Sequence, residues 1–372
     1  MRRGVASTVL LAAVVGAGLG LSATPVLTQP PASPPASPGV VSSNFIFEQV
    51  PFASAHASTI VETKGGFVAA WFAGTREGAP DVGIWVSRLT GGKWSRPVEV
   101  ATGQQTDGTR HPCWNPVLFE MADRTLTLFY KVGPSPQTWW GMTRTSKDGG
   151  QTWSEAQRLP DGILGPIKNK PVRLADGTLI SPTSTETPEK PSKWRVHFER
   201  SSDGGKTWTI VRPAEAPNAA PIDAIQPSIL THSKNRLQAI GRSRSQRVFE
   251  TWSDDGGRTW GAVTLTALPN PSAGTDASTM ADGRHVLIYN HTEKGRSPLN
   301  VAVSRDGKVW EAAAVLESDL GEYSYPAVIQ GADGRLHVTY TWRRLRIKHV
   351  VIDPRGLRPV PMPNGAWPAA GR

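Results

Sequence analysis

A chain of 372 residues with 41 basic and 31 acidic side chains carries a formal charge of +10 and has room for a sizeable core in one or two domains. Its single cysteine, Cys113, excludes an intrachain disulfide and reads as a small buried hydrophobe, so packing alone must supply stability. The positive charge favours anionic partners, yet no dense Lys/Arg cluster points to nucleic acid, no His or carboxylate grouping has metal-ligand spacing, and no Gly-rich loop opening a helix suggests a nucleotide. No cofactor is expected.

The chain opens with Arg2 and Arg3, then the apolar run VLLAAVVGAGLGL, then small residues near Ala23. That order predicts a secretory signal peptide over 1–23. The run is too short and too rich in Gly and Ala for a membrane anchor, and no later run can span a bilayer. The expected location is therefore secreted or periplasmic, without a stable membrane span after cleavage. Residues 24–43 include TQPPASPPASPGV and read as an extended Pro/Ser-rich linker. The folded part is expected over 44–355, followed by a C-terminal tail over 356–372.

Within the folded part, a turn followed by an alternating apolar strand recurs six times, at KGGFVAAWF, ADRTLTLFYK, ADGTLISPT, SKNRLQAIG, ADGRHVLIYN and ADGRLHVTYT. Gly66, Arg124, Gly177, Asn235, Gly283 and Gly334 mark the equivalent turns, 48 to 58 residues apart. Each turn follows another short apolar run, so each pair reads as a hairpin. Further along come the copies SKDGGQTW, SSDGGKTW and SDDGGRTW, with a shortened SRDGKVW, each between two more strand candidates. Asp and Gly in these copies suit a tight turn, and the Trp packs beneath it. Four strands in each of six repeats predict an all-β, six-bladed β-propeller of four-stranded antiparallel blades. The strands near NFIFEQ and IKHVVID are expected to share one sheet and close the ring.

A propeller brings the starts of its inner strands together at the axis. Those starts carry His56, Trp114 with Asn115, Lys168 to Lys170, Gln226, Asp276, and Tyr323 to Tyr325. Polar and aromatic residues gather there, just ahead of the apolar runs. The repeated turns, by contrast, belong at the outer edge, where four of them cannot form one site.

Over residues 44 to 352 the chain resembles the sialidase (neuraminidase) superfamily, whose members carry S-x-D-x-G-x-x-W Asp boxes on six-bladed propellers. It is most similar to the BNR-repeat group of predicted bacterial and plant sialidases, through GTREGAPDVGIW, WNPVLF, GPIKNKP and SYPAVIQ. The resemblance implies a Tyr nucleophile activated by a Glu, an Asp acid/base, and three Arg that hold the substrate carboxylate. It assigns Tyr323 as nucleophile with Tyr325 as rival, Asp81 as acid/base with Glu77 as alternative, and Arg242 and Arg296 as the second and third clamp arginines. Two positions depart from the pattern: His56 stands where the first clamp Arg is expected, and Gln226 where the Glu is expected. Lys131, Lys168 and Lys170 are the cations available to compensate, and Asp276 or Glu77 the carboxylates. Asn115 completes the set of expected substrate contacts.

The implied activity is that of an exported, monomeric exo-glycosidase acting on terminal sialic acid or a related acidic sugar of glycans and glycoconjugates. Two alternatives stand beside it: a lyase or hydrolase of uronate-containing glycans using His56 as base, and a non-catalytic glycan-binding propeller.

Overall fold

Six antiparallel sheets account for nearly all regular structure in the computed structural model, which describes Met1 and residues 37–369. The expected signal peptide and most of the linker lie outside the described residues. Blade one runs Ser54–Thr63, Gly66–Gly74 and Gly83–Thr90, with Lys93–Trp94 and Val98–Ala101 along its outer side. Blade two runs Cys113–Glu120, Leu126–Val132, Trp140–Ser146 and Gln157–Arg158. Blade three runs Val172–Arg173, Leu179–Glu186, Trp194–Ser201 and Thr209–Val211. Blade four runs Ala224–Thr231, Leu237–Ser243, Arg247–Ser253 and Thr264–Pro269. Blade five runs Asp276–Thr279, His285–Tyr289, Leu299–Ser304 and Trp310–Glu317.

Blade six takes Tyr323–Gln330, Leu336–Trp342 and Arg346–Ile352 from the end of the chain and Val40–Phe45 from its beginning. This pairing closes the ring as expected, although the closing strand starts four residues before the expected boundary at 44. The expected C-terminal tail also differs: Val360–Pro361 adds a fifth strand to blade five, and Trp367 packs on the core there.

Hydrophobic burial follows from the strand pattern. Each blade has two apolar faces, and each must be covered by the next blade. The main cores accordingly lie between neighbours, for example Val68, Ile84, Leu118 and Leu128 between blades one and two. The repeated turns act as fasteners. In SKDGGQTW, Asp148 accepts from the Gln151 and Thr152 N–H groups and the Ser146 hydroxyl, while Ser146 Oγ accepts from Gly150 N–H at 2.8 Å. The same bonds recur around Asp203, Asp255 and Asp306. Trp208 and Trp310 donate back to their own turns, and Trp260 stacks on Phe198 of the preceding blade at 3.9 Å.

Two histidine pairs lie among these layers. Gln238 donates through its amide nitrogen to Glu250 and the Gly307 carbonyl, which leaves its oxygen, 3.1 Å away, to accept from His232 Nε2–H. His232 Nδ1 then accepts from His285 Nε2–H at 3.2 Å, and His285 Nδ1 accepts from the Thr279 hydroxyl at 3.0 Å. His337 and His349 form a second pair at 3.1 Å. In each pair the accepting nitrogen must stay bare, because a proton there would set N–H against N–H.

Burial, reinforced by the neighbouring His, lowers His285 to about 4 and His349 to about 3. Below an unfolded pKa of about 6.5 the unfolded chain takes up protons that the folded chain refuses, so this stability is complete above that pH and declines as pH falls. The melting temperature is expected to drop by on the order of 5 °C or more between about pH 7.5 and about pH 4.5. Scanning calorimetry across that window checks this, and a flat profile would refute it.

Candidate active site

Four inner strands share one irregularity. Their register shifts around a residue with positive φ: Ala57 (56°), Asn115 (39°), Gln226 (56°) and Tyr325 (51°). A bulge of this kind re-aims side chains, and in three of the four a Pro follows, so no ladder donor is lost. Lys168, just ahead of blade three's inner strand, is also left-handed at 69°.

The bulges build a cationic cage around Tyr325. The guanidinium carbons of Arg242 and Arg296 lie 5.4 and 5.8 Å from its ring centroid, and Lys168 Nζ lies 6.0 Å away. His56 packs on the same ring at 4.3 Å, and Gln226 Nε2 is 3.5 Å from the Tyr325 hydroxyl. Gly274 fits here because a Cβ on it would meet Lys168, Tyr325 and Gln226, all within 3.4 Å. The oxygen of Gln226 and Nε2 of His56 are both buried without a protein partner.

Tyr323 points elsewhere. Its ring joins the apolar core between blades five and six, and its hydroxyl accepts from Arg343 at 3.3 Å. The structure therefore brings Tyr325, and not Tyr323, to the cationic cage.

Arg344, Arg343 and Glu322 went unnoticed in the sequence. Glu322 accepts from Arg296 and Arg344, both at 2.8 Å, and from Ser324 at 3.1 Å, while Arg344 also pairs with Glu77. Burial raises the Glu322 carboxyl, but Arg296 and Arg344 outweigh it and hold it below the usual glutamate range. Arg344 thus sits beside Arg296 as a further guanidinium near the axis. The available signal was the blade-six hairpin WRRLR, since the loop after the second strand is also where Asp81 lies in blade one.

Other expected site residues are already committed. Asp276 accepts from Ser228, Lys170, and the Ala277 and Val328 N–H groups, with all four contacts at 2.8–2.9 Å. That joins blades three to six and leaves no free base. Lys168 spends its protons on Asn169, Thr275 O and Pro326 O, and burial lowers it to about 7. Lys170 is held by Asp276 and Ala277 O. Lys131 is buried outside the cage, donating to Pro166 O near Glu199, and is likewise lowered to about 7.

Asp81 lies on an exposed loop, where the Thr75 hydroxyl and N–H bind its carboxylate and hold it below the usual range. Asn115 is buried at the blade-two bulge beside Trp114, which donates to Gly133 O. Among the described residues no group of three or more His, Cys, Asp and Glu side chains could hold a metal, and no helix is long and apolar enough to cross a membrane.

Comparison with known proteins agrees with this architecture. Residues 65–338 match the family model of the BNR repeat-like domain. An anhydrosialidase of Macrobdella decora is 24% identical over 266 residues, which is 62% of this chain and 34% of that protein. A sialidase of Micromonospora viridifaciens is 28% identical over 211 residues, 48% of this chain and 32% of the relative. The match thus spans about a third of each curated relative. Among solved structures, the Hadza microbial sialidase Hz136 superposes with a TM-score of 0.68 at 18% identity, covering 82% of this chain and 66% of that one. The chain belongs to the BNR repeat-like family of the sialidase superfamily and has a sialidase-type glycosidase fold.

Proposed function

We propose that the protein is an exported exo-glycosidase of sialidase type that removes a terminal sialic acid or a related acidic sugar from glycans. The observation that carries this reading is the convergence of Arg242, Arg296 and Lys168 on the ring of Tyr325. Planar guanidiniums bind a carboxylate bidentately, and a phenol approaches an anionic sugar with less repulsion than a carboxylate does.

In this reading Tyr325 Oη bonds to the anomeric carbon as the bond to the leaving oxygen breaks, and the phenol proton passes through water to that oxygen, so the leaving group departs as an alcohol. Water then releases the sugar and restores the phenol. Asp81, ionised on its loop, acts as the base of the second step. Gln226 cannot take the phenol proton, so the surrounding cations must stabilise the charge that develops at the tyrosine oxygen.

The same Gln226 supports a second reading, a propeller that binds acidic glycans without cleaving them. Purified protein with an aryl sialoside and a panel of sialylated and uronylated glycans separates the two. Release of an acidic sugar supports the hydrolase, binding without release supports the second reading, and neither binding nor release overturns both.

A further inference from the structure

We infer that Thr341 holds His56 as a neutral imidazole protonated on Nε2, and that this N–H is a hydrogen-bond donor to the anionic group of the ligand. The second half rests on the acidic-sugar reading above. The first half rests on hydrogen-bond geometry alone.

Thr341 is fully buried, and its Oγ1 accepts from Ala57 N–H at 3.1 Å and lies 2.9 Å from His56 Nδ1. The hydroxyl proton needs an acceptor, and among the described residues His56 Nδ1 is the only one within reach. Nδ1 must therefore be bare, which puts the proton on Nε2. Thr279 repeats the arrangement, accepting from Thr231 N–H while facing His285 Nδ1.

His56 Nε2 is buried without a protein partner, against the Tyr325 ring. Burial first, and then Arg344, Arg296, Arg242 and Lys168, disfavours a second proton on the ring. Glu322 accepts from Arg296, Arg344 and Ser324 through Oε1, and neither it nor any other carboxylate among the described residues bonds to His56 Nε2. An incoming carboxylate would meet an N–H at this position, whereas a bare nitrogen would repel it. The same tautomer argues against His56 as a base, because one lone pair faces Thr341 and the other nitrogen already carries hydrogen. Thr341 is a positioning residue in this scheme.

Two measurements test it on the full chain. In 15N-histidine-labelled protein, two-bond 15N–1H correlation should show the neutral, Nε2-protonated pattern for His56 from about pH 5 to about pH 8. Thr341→Val should disturb that pattern and Thr341→Ser restore it. An Nδ1-protonated or doubly protonated ring would overturn the tautomer.

The second measurement is calorimetric binding of a 2,3-unsaturated sialic acid. His56→Ala should weaken it roughly 10- to 100-fold, while His56→Gln, whose amide can place an N–H near Nε2, should lose less than about fivefold. Equal losses in the two variants would overturn donation. If the wild type binds no acidic sugar, the functional reading and the donation both fall, and the spectrum alone decides the tautomer.

Discussion

Tyr325→Phe is expected to lower turnover of an acidic glycoside by about 1000-fold or more, while Tyr323→Phe stays within about threefold of wild type. The substitution at 325 removes the oxygen and leaves the ring, so contacts with Arg242, Arg296, Lys168 and His56 survive. KM should therefore move much less than kcat, and the melting temperature should hardly change. Tyr323 keeps its ring among the apolar side chains of blades five and six and loses only the 3.3 Å contact from Arg343. Steady-state kinetics on both variants, with melting curves as controls, measure the contrast. A silent Tyr323 variant beside a fully active Tyr325 variant would be the reverse of a common structural loss, and would remove Tyr325 from the mechanism.

Asp276→Ala is expected to destabilise the fold by about 3–5 kcal/mol, lowering the melting temperature by on the order of 10 °C. All four partners of this buried carboxylate are donors, contributed by blades three, four, five and six. Removing the acceptor leaves the Ser228 hydroxyl and the Val328 N–H without their partner and takes the carboxylate from the Lys170 ammonium, which keeps only Ala277 O, while Ala277 N–H falls back on Ser228 Oγ. Asp276→Asn should be nearly as damaging, because an amide turns its own N–H groups toward donors. Chemical denaturation of both variants checks the size of the loss. A cost under about 1 kcal/mol would mean that water or repacking replaces the carboxylate, and that the inter-blade link is not what stabilises the ring.

Local chemistry made the architecture readable. Asp-Gly-Gly turns, hairpin spacing and period-two apolar runs depend on near neighbours, so six repeats, four strands per repeat and ring closure all followed from letters a few residues apart. The strand starts also carry His56, Gln226 and Tyr325, which the structure gathers around one ring. The roles at those starts were not readable.

Tyr323 and Tyr325 would share a face in a regular strand. The left-handed bulge at Tyr325, between Ser324 and Ala327, separates them, leaving one in an apolar core and the other in the cage. Lys168 and Asp276 looked like free site groups because their partners, Pro326 and Val328 in blade six, are far away in sequence. Arg344 was hidden in a hairpin whose proximity to Glu77 exists only once blade six meets blade one. The sequence by itself determined the turns, the repeat and the ring, because short-range backbone preferences encode them. Only the tertiary structure decided which side chains face the axis and which are already bonded, because those outcomes depend on contacts between blades.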